Sequence, residues 1–347
     1  MLAASLRQDA AQLASRFNSA TPFRHWVIDQ FFTPAAADQL LREFPSFERG
    51  NARNEQGELG GKSVVEQIRD LGPGYAALDD LVKSQAFLDW LGAATGIPDL
   101  RYDPWYFGGG THDNRHGQEL DPHIDFNRHP KTQQHRRLNL IIYLNPEWDD
   151  HWGGALELHS DPRRDDDQVT LISPQFNRAV LFETTEWSWH GFGKIDLPES
   201  KRQLSRRSIA LYFYTEQRPT EELAPSHSTV YVDRPLPERY APGLTLSEQD
   251  VQELKVMLAR RDQHNQRLYG DLIHAESRIE QLLAERQSLA RAGLNALRGL
   301  WRYARSERRA DDRQALLRAS RPLASRVPQS LRRLIRKLIE GSPSSGL

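Results

Sequence analysis

The sequence predicts a mainly β domain, a sandwich or jelly roll with flanking helices, followed by a long C-terminal helix. Three observations carry this. Short apolar runs separated by Gly, Pro, Asn and Asp turns fill the chain from about residue 101, as expected for many short strands. Helix-like stretches lie before that region. After Pro242 no proline occurs until Pro322, and an apolar repeat of seven residues begins.

Residues 1–20 read as a short amphipathic helix and His25–Phe32 as a strand. Thr33 is placed as an N-cap before Pro34 at the first helical position, so a helix runs to about Glu43. Residues 46–62 are polar and Gly-rich and read as a loop. Helical stretches follow at about 74–84 and 85–96. Tyr102–Phe107 is an aromatic-rich strand that ends in Gly108-Gly109-Gly110. Leu138–Leu144 is a near-continuous apolar strand. Gly153 and Gly154 turn into Ala155–His159, and Val169–Ile172, Ala179–Glu183 and Ser208–Tyr214 are further strands.

The repeat after Pro242 places Val251, Leu258, Asn265, Leu272, Ile279 and Arg286 at a positions. Leu254, Arg261, Leu268, Ala275, Leu282 and Leu289 take the d positions. Such a register suits a coiled coil, in which Asn265 can set the pairing, or one long helix folded back on its own domain. Residues 298–340 hold 13 Arg/Lys against 4 Asp/Glu. Within them Leu331, Leu334, Ile335, Leu338 and Ile339 form a stripe beside Arg332, Arg333, Arg336 and Lys337. This basic amphipathic segment suits an anionic membrane surface, a partner, or a solvated tail. The expected division is 1–242 (a helical region over 1–100, a β core over about 101–217), 243–300 for the long helix, and 301–347 for the tail.

Composition narrows the function. The 347 residues carry a net charge of −1, so nothing global points to nucleic acid. There is no cysteine, which excludes disulfides, thiolate metal sites and cysteine nucleophiles. Arg7 and Asp9 interrupt any secretory signal. No stretch approaches the roughly 18 apolar residues that span a bilayer. The expected location is the cytoplasm, with the basic tail a candidate contact to the inner face of the membrane.

Two His and one carboxylate on one octahedral face hold a reactive ferrous ion and leave three positions open. His123-Ile124-Asp125 has the spacing that puts both ligands on one face of an extended segment. His159-Ser160-Asp161 shares the spacing, but leaves room for few strands before a second histidine, and Asp161 opens the polar run DPRRDDDQ. His123 and Asp125 are therefore preferred, with His190, in TTEWSWHGFG, as third ligand. A dicarboxylate co-substrate needs a buried cation, and arginine binds carboxylate in a bidentate fork. Alternation along Arg206–Tyr214 puts Arg206 and Ser208 on one face and Arg207 on the other. Arg206 with Ser208 is the chosen pair.

Together these residues resemble the 2-oxoglutarate/Fe(II)-dependent oxygenase superfamily, in its prolyl-4-hydroxylase-like branch. The ordered pieces are His123-Ile-Asp125, Ile142-Tyr143-Leu144-Asn145, Trp152-Gly153-Gly154-Ala155-Leu156-Glu157-Leu158, Ala179-Val-Leu-Phe182, His190 and Arg206-x-Ser208. The resemblance covers about residues 20–217. It implies a double-stranded β-helix, Fe(II), 2-oxoglutarate and O2, with ascorbate a candidate accessory reductant. It implies that Tyr143 donates to the co-substrate's 5-carboxylate, that Asn139 borders it, and that Tyr106 reaches the site. The segment Lys194–Leu204 lengthens the interval between His190 and Arg206 beyond the family's usual spacing. It reads as a loop; otherwise Lys194, Lys201 or Arg202 would replace Arg206.

The implied reaction is hydroxylation of an unactivated C–H bond. The substrate is either a prolyl peptide, with Trp152, Trp187 and Trp189 lining a groove, or a saccharide or other envelope precursor reached through the tail. A homodimer through the coiled coil is the expected assembly. Two other classes compete: a cupin-like metal-binding scaffold, which would need no dicarboxylate pocket, and a hydrolytic zinc enzyme.

Overall fold

The computed structural model describes residues 1–3, 10–53, 59–237 and 239–305. It comprises two units, Met1–Glu238 and Arg239–Leu347. In the first unit, helix α1 (Ala10–Ser19), strand β1 (His25–Ile28) and helix α2 (Pro34–Arg42) come first. The expected strand His25–Phe32 stops at Ile28, because Gln30 adopts φ +53° and leaves the extended ladder. Pro34 starts α2 as expected, since its fixed φ suits the first turn, though the Thr33 side chain makes no capping bond. Helices α3 (Pro73–Val82) and α4 (Gln85–Thr95) follow. The Ser84 hydroxyl accepts from the Phe87 N–H at the start of α4, and Gly96 ends it in the left-handed conformation.

The stretch 46–62, expected as a loop, instead contains most of a hairpin, β2 (Asn51–Arg53) and β3 (Leu59–Val65). Its composition carries no strand signal. The order of β3 comes from pairing, Ser63 opposite Asp113 and Val65 opposite Thr111. The aromatic run 102–107 is likewise not a strand. Only Arg101–Tyr102 (β4) pairs, and Tyr106 sits in a turn at φ +51°.

The remaining strands are β5 (Gly110–Asn114), β6 (Leu120–Ile124), β7 (His135–Tyr143), β8 (Leu156–His159), β9 (Val169–Ile172), β10 (Ala179–Glu183), β11 (Trp189–Phe192), β12 (Arg206–Thr215) and β13 (Val230–Tyr231). Among the described residues they form two antiparallel sheets. The larger runs β1-β10-β7-β12-β5-β3-β2, with β4 also on β12; the smaller runs β13-β6-β11-β8-β9. From β5 to β12 the chain crosses repeatedly from one sheet to the other, which winds a double-stranded β-helix. This is the expected fold.

Alternation divides the larger sheet into two faces. Leu138, Leu140 and Ile142 of β7, Leu181 of β10, and Ile209, Leu211 and Phe213 of β12 pack with Phe17, Leu40, Tyr75, Leu78 and Leu91 of the helices. On the other face Tyr143, Val180 and Phe182 meet Leu156, Leu158 and Ile172 of the smaller sheet. Both faces of the central strands are thus covered, which is why β7 and β10 read as nearly continuous apolar runs. Functional groups are confined to the inner face between the sheets.

Asn177 ties β1's return to this core. At φ +58° it is buried, and its side-chain amide accepts from the Phe32 N–H and donates to the Phe32 carbonyl, both at 2.9 Å. Asn177→Ala loses both bonds, strands two buried backbone groups and keeps an unfavourable φ. Urea unfolding of this variant is expected to show a loss of about 2–4 kcal/mol; a change below about 0.5 kcal/mol would contradict the assigned role.

Candidate metal and co-substrate site

His123 and Asp125 lie at and just beyond the end of β6, and His190 lies in β11. The two strands pair with His190 directly opposite His123. The imidazole centroids are 4.3 Å apart. One ligand atom from each of His123, Asp125 and His190 lies within 4.8 Å of the others. Each imidazole is oriented by a backbone oxygen: Asp121 O is 2.9 Å from Nδ1 of His123, and Ser188 O is 2.9 Å from Nδ1 of His190. A carbonyl can only accept, so Nδ1 carries the proton and Nε2 keeps its lone pair for a metal.

Electrostatics favour the same state. Burial, then the neighbouring His190, lowers the His123 pKa to about 3. Burial also lowers that of His190. Burial works to raise the Asp125 carboxyl, but Arg136 and the two imidazoles hold it down at about 2. The site therefore presents two neutral imidazoles and one carboxylate at neutral pH. That donor set fits a ferrous ion.

The two oxygens of Asp125 have different neighbours. Oδ2 is ion-paired with Arg136, whose Nη2 lies 2.9 Å away, and accepts from Asn139 Nδ2 at 3.4 Å. Oδ1 faces His123 Nε2 at 3.8 Å. Arg136 is itself 1 % exposed and lies 3.6 Å over the Tyr212 ring.

The second half of the site is built on β12. Arg206 is 4 % exposed. Its Nε donates to Gly154 O at 2.6 Å and its Nη2 to the Tyr143 hydroxyl at 3.1 Å. Phe192 lies 4.2 Å beneath the guanidinium. Burial lowers the Arg206 pKa. Among the described residues no carboxylate is ion-paired with it, although Glu157 acts on it at longer range. A buried cation in this condition fits an anionic ligand. The Tyr143 hydroxyl accepts from Arg206, so its own proton remains available to a carboxylate.

Gly154 explains the Gly153-Gly154 turn. It adopts φ +69°, and a Cβ there would lie 3.2 Å from Arg206 Cδ and 3.0 Å from Ile195 Cγ1. The interval Lys194–Leu204 is a loop, as expected, but not a purely polar one: Ile195 and Leu197 are buried. Lys201 pairs with Glu147 and Arg202 with Glu199, and neither lines the cavity that holds Arg206.

One cavity joins these groups. Its lining includes His123, Asp125, His190, Asn139, Arg206 and Ser208. Tyr106 is a correction: its hydroxyl bonds Asp79 at 3.0 Å and it does not line this cavity, because the turn at φ +51° directs it to α3. Trp152, Trp187 and Trp189 form no wall of it either. Trp187 is exposed, Trp189 packs under Arg163, and Trp152 lies against Trp148. The rejected His159 is bonded instead to Asp167 at 2.6 Å and Glu157 at 3.4 Å.

The cavity also contains residues that sequence reasoning missed: His112 and Asn114 from β5, Lys62 from β3, and Thr229 and Tyr231 at β13. His112 and Asn114 share one face by simple alternation, so the signal was present. Tyr231 pairs with His123 across β13 and β6 and stacks on its ring at 5.2 Å. Nothing local in the sequence indicates that contact. Arg136 was hidden by a register shift. The β12–β7 ladder passes from Phe213 opposite Leu138 to Tyr214 opposite Arg136. The bulge skips Arg137 and reverses the parity expected from alternation.

A sequence model of the 2OG-Fe(II) oxygenase superfamily matches residues 110–214, the segment that carries all three candidate ligands and Arg206. Residues 110–214 form a 2OG-Fe(II) oxygenase domain. Mouse prolyl 3-hydroxylase OGFOD1 is 31 % identical over an alignment of 114 positions that covers 28 % of this chain and 20 % of that protein. The chain thus matches about a fifth of the length of this curated relative. Among solved structures, the prolyl hydroxylase of Trichoplax adhaerens, in complex with a hypoxia inducible factor peptide fragment, aligns with a TM-score of 0.45 at 18 % identity, covering 61 % of this chain and 93 % of that one. HygX of Streptomyces hygroscopicus, with nickel, 2-oxoglutarate and hygromycin B bound, aligns with a TM-score of 0.40 at 12 % identity, over 67 % of this chain and 99 % of that one.

The oxygenase domain generates two predictions. Both ligand histidines have folded pKa values below the unfolded 6.5. On acidification the unfolded chain takes up these protons first, so metal-free protein loses stability as pH falls below about 6.5. The slope is up to ~1.4 kcal/mol per pH unit for each histidine. Urea midpoints of chelator-treated protein at about pH 7 and pH 5 should show the loss, and His123→Gln should reduce it. Equal midpoints for the parent would refute it. Gly154→Ala should press on the Arg206 side chain and weaken 2-oxoglutarate binding about tenfold, or ~1.4 kcal/mol, in calorimetric titration. Unchanged affinity would show that the guanidinium can shift without cost.

Proposed function

We propose that the chain is an Fe(II)- and 2-oxoglutarate-dependent dioxygenase that hydroxylates a C–H bond of a prolyl residue in a peptide. The arrangement that carries the oxygenase reading is a His123/Asp125/His190 cluster and a buried Arg206 in one cavity. A metal-binding scaffold has no need of the second element. When bound, Fe(II), 2-oxoglutarate and O2 supply the oxidising power that turns C–H into C–OH, with succinate and carbon dioxide as co-products.

The chain's own residues provide position and charge. His123, Asp125 and His190 would hold the ion, the two imidazoles through Nε2 and Asp125 through its carboxylate. Arg136 and Asn139 engage Oδ2 of Asp125 and so limit rotation of the carboxylate. Arg206 and Ser208 form the seat of the 5-carboxylate, and the Tyr143 hydroxyl, which accepts from Arg206 but is not part of the cavity lining, holds the guanidinium in place. Burial makes the Arg206 contact selective for an anion and keeps water from competing. Lys62, Tyr212, Thr229 and Tyr231 line the same cavity and would face the substrate.

The prolyl assignment rests on the prolyl 3-hydroxylase relative, a fifth of whose length is covered. The saccharide alternative depended on a membrane-bound tail, and residues 306–347 lie outside the described residues. Among the described residues no helix is long and apolar enough to cross a membrane.

Succinate formation from 2-oxoglutarate tests the oxygenase reading, with the protein loaded with Fe(II) anaerobically and then exposed to O2. The parent should turn over slowly without substrate, and His123→Ala should not turn over. Arg206→Lys keeps a charge but loses the fork, and should raise KM for 2-oxoglutarate about 10–100-fold. A parent that binds iron yet neither binds 2-oxoglutarate nor yields succinate would leave the scaffold reading in its place. Proline-containing peptides that accelerate succinate release, with a hydroxylated product by mass, would support the substrate class. Acceleration by saccharides alone would reject it.

A further inference from the structure

The second unit contains α5 (Glu248–Arg305), a helix of 58 residues. Its heptad stripe is open: Leu258 is 61 % exposed, Leu268 54 %, Leu272 53 %, Ile279 55 % and Leu282 49 %. Helices in proteins owe most of their stability to packing an apolar face. A stripe of this length left in water marks a surface meant for a partner.

We propose that α5 pairs with α5 of a second copy of this chain as a parallel, in-register, two-stranded coiled coil. The polar residues within the stripe select that partner. In a parallel pair each a side chain packs beside the partner's a and preceding g residues, and each d side chain beside the partner's d and following e residues. Arg261, at a d position, is then set beside the partner's Asp262. Arg286, at an a position, is set beside the partner's Glu285. Each seam arginine also lies beside its own counterpart on the partner, and the carboxylate that the second identical helix supplies in the same layer offsets that like-charge contact.

Two further pairings agree. Asn265 faces the partner's Asn265, where two amides can bond each other and fix the register. Asp250 at g faces the partner's Lys255 at e. One g–e pair is repulsive, Asp271 with the partner's Glu276; both residues are exposed, and such pairs carry little energy. An antiparallel pair centred on the same stretch would set Asn265 against the partner's Ala275 and Arg261 against the partner's Ile279. It would set the amide and the guanidinium against apolar seam residues and would lose the Asn265 pair that fixes register.

The chain has no cysteine, so a single introduced thiol reports the geometry without background. Leu268→Cys, at a central d position, should oxidise in the full chain to a cross-linked species of twice 39.9 kDa. Parallel d positions bring the two residues within disulfide reach. Sedimentation of the reduced parent should give the same dimer mass. Ile279→Lys should shift it to monomer while leaving succinate formation intact. A monomeric or trimeric parent would overturn the proposal. So would preferential cross-linking of Val251→Cys with Leu289→Cys in a mixture, which reports antiparallel pairing. These readouts are mass and cross-linking, so they stand apart from the oxygenase chemistry.

Discussion

The site depends on one backbone pairing, the antiparallel register that puts His190 opposite His123. A shift of one residue would turn one imidazole to the far side of the sheet, because side chains alternate with period two. That register is held from outside the site. Trp189–Phe192 is flanked by β6 on one side and β8 on the other, and all four of its residues are buried. Gly191 fits where a Cβ would meet Leu120 O at 2.6 Å. The metal cluster is thus a consequence of sheet pairing, and the rest of the smaller sheet fixes that pairing.

Charge is arranged around the cluster in opposed pairs. Asp125 would be expensive to bury alone, and Arg136 offsets that cost at 2.9 Å. Arg206 is the reverse case: its neighbours are a carbonyl, a hydroxyl and an aromatic ring. These stabilise a guanidinium without neutralising it. One buried charge is therefore satisfied within the protein, and the other has no ion-paired carboxylate among the described residues, a condition that suits an anionic ligand.

The inner face of the barrel was legible where alternation continued unbroken. Arg206, Ser208 and Asn139 fell on the cavity side as parity required. Alternation failed where backbone irregularity intervened. The bulge between β12 and β7 brought Arg136 inward and sent Arg137 to Glu183, 3.1 Å away. The turn at Tyr106 directed its hydroxyl to Asp79. The hairpin at 51–65 had no apolar pattern, since its order comes from hydrogen bonds to an existing sheet edge.

The sequence by itself determined the class of fold, the three candidate metal ligands, the candidate co-substrate arginine and the heptad stripe. All of these are encoded within one strand or one helix, where period two or period seven can be read directly. Only the tertiary structure decided which residues surround the ligands. Lys62, Arg136, Thr229 and Tyr231 approach from strands far apart in the chain, or through a bulge, and no local period encodes such meetings. The physical reason is that alternation specifies which face a side chain occupies, whereas sheet order and register specify what stands opposite.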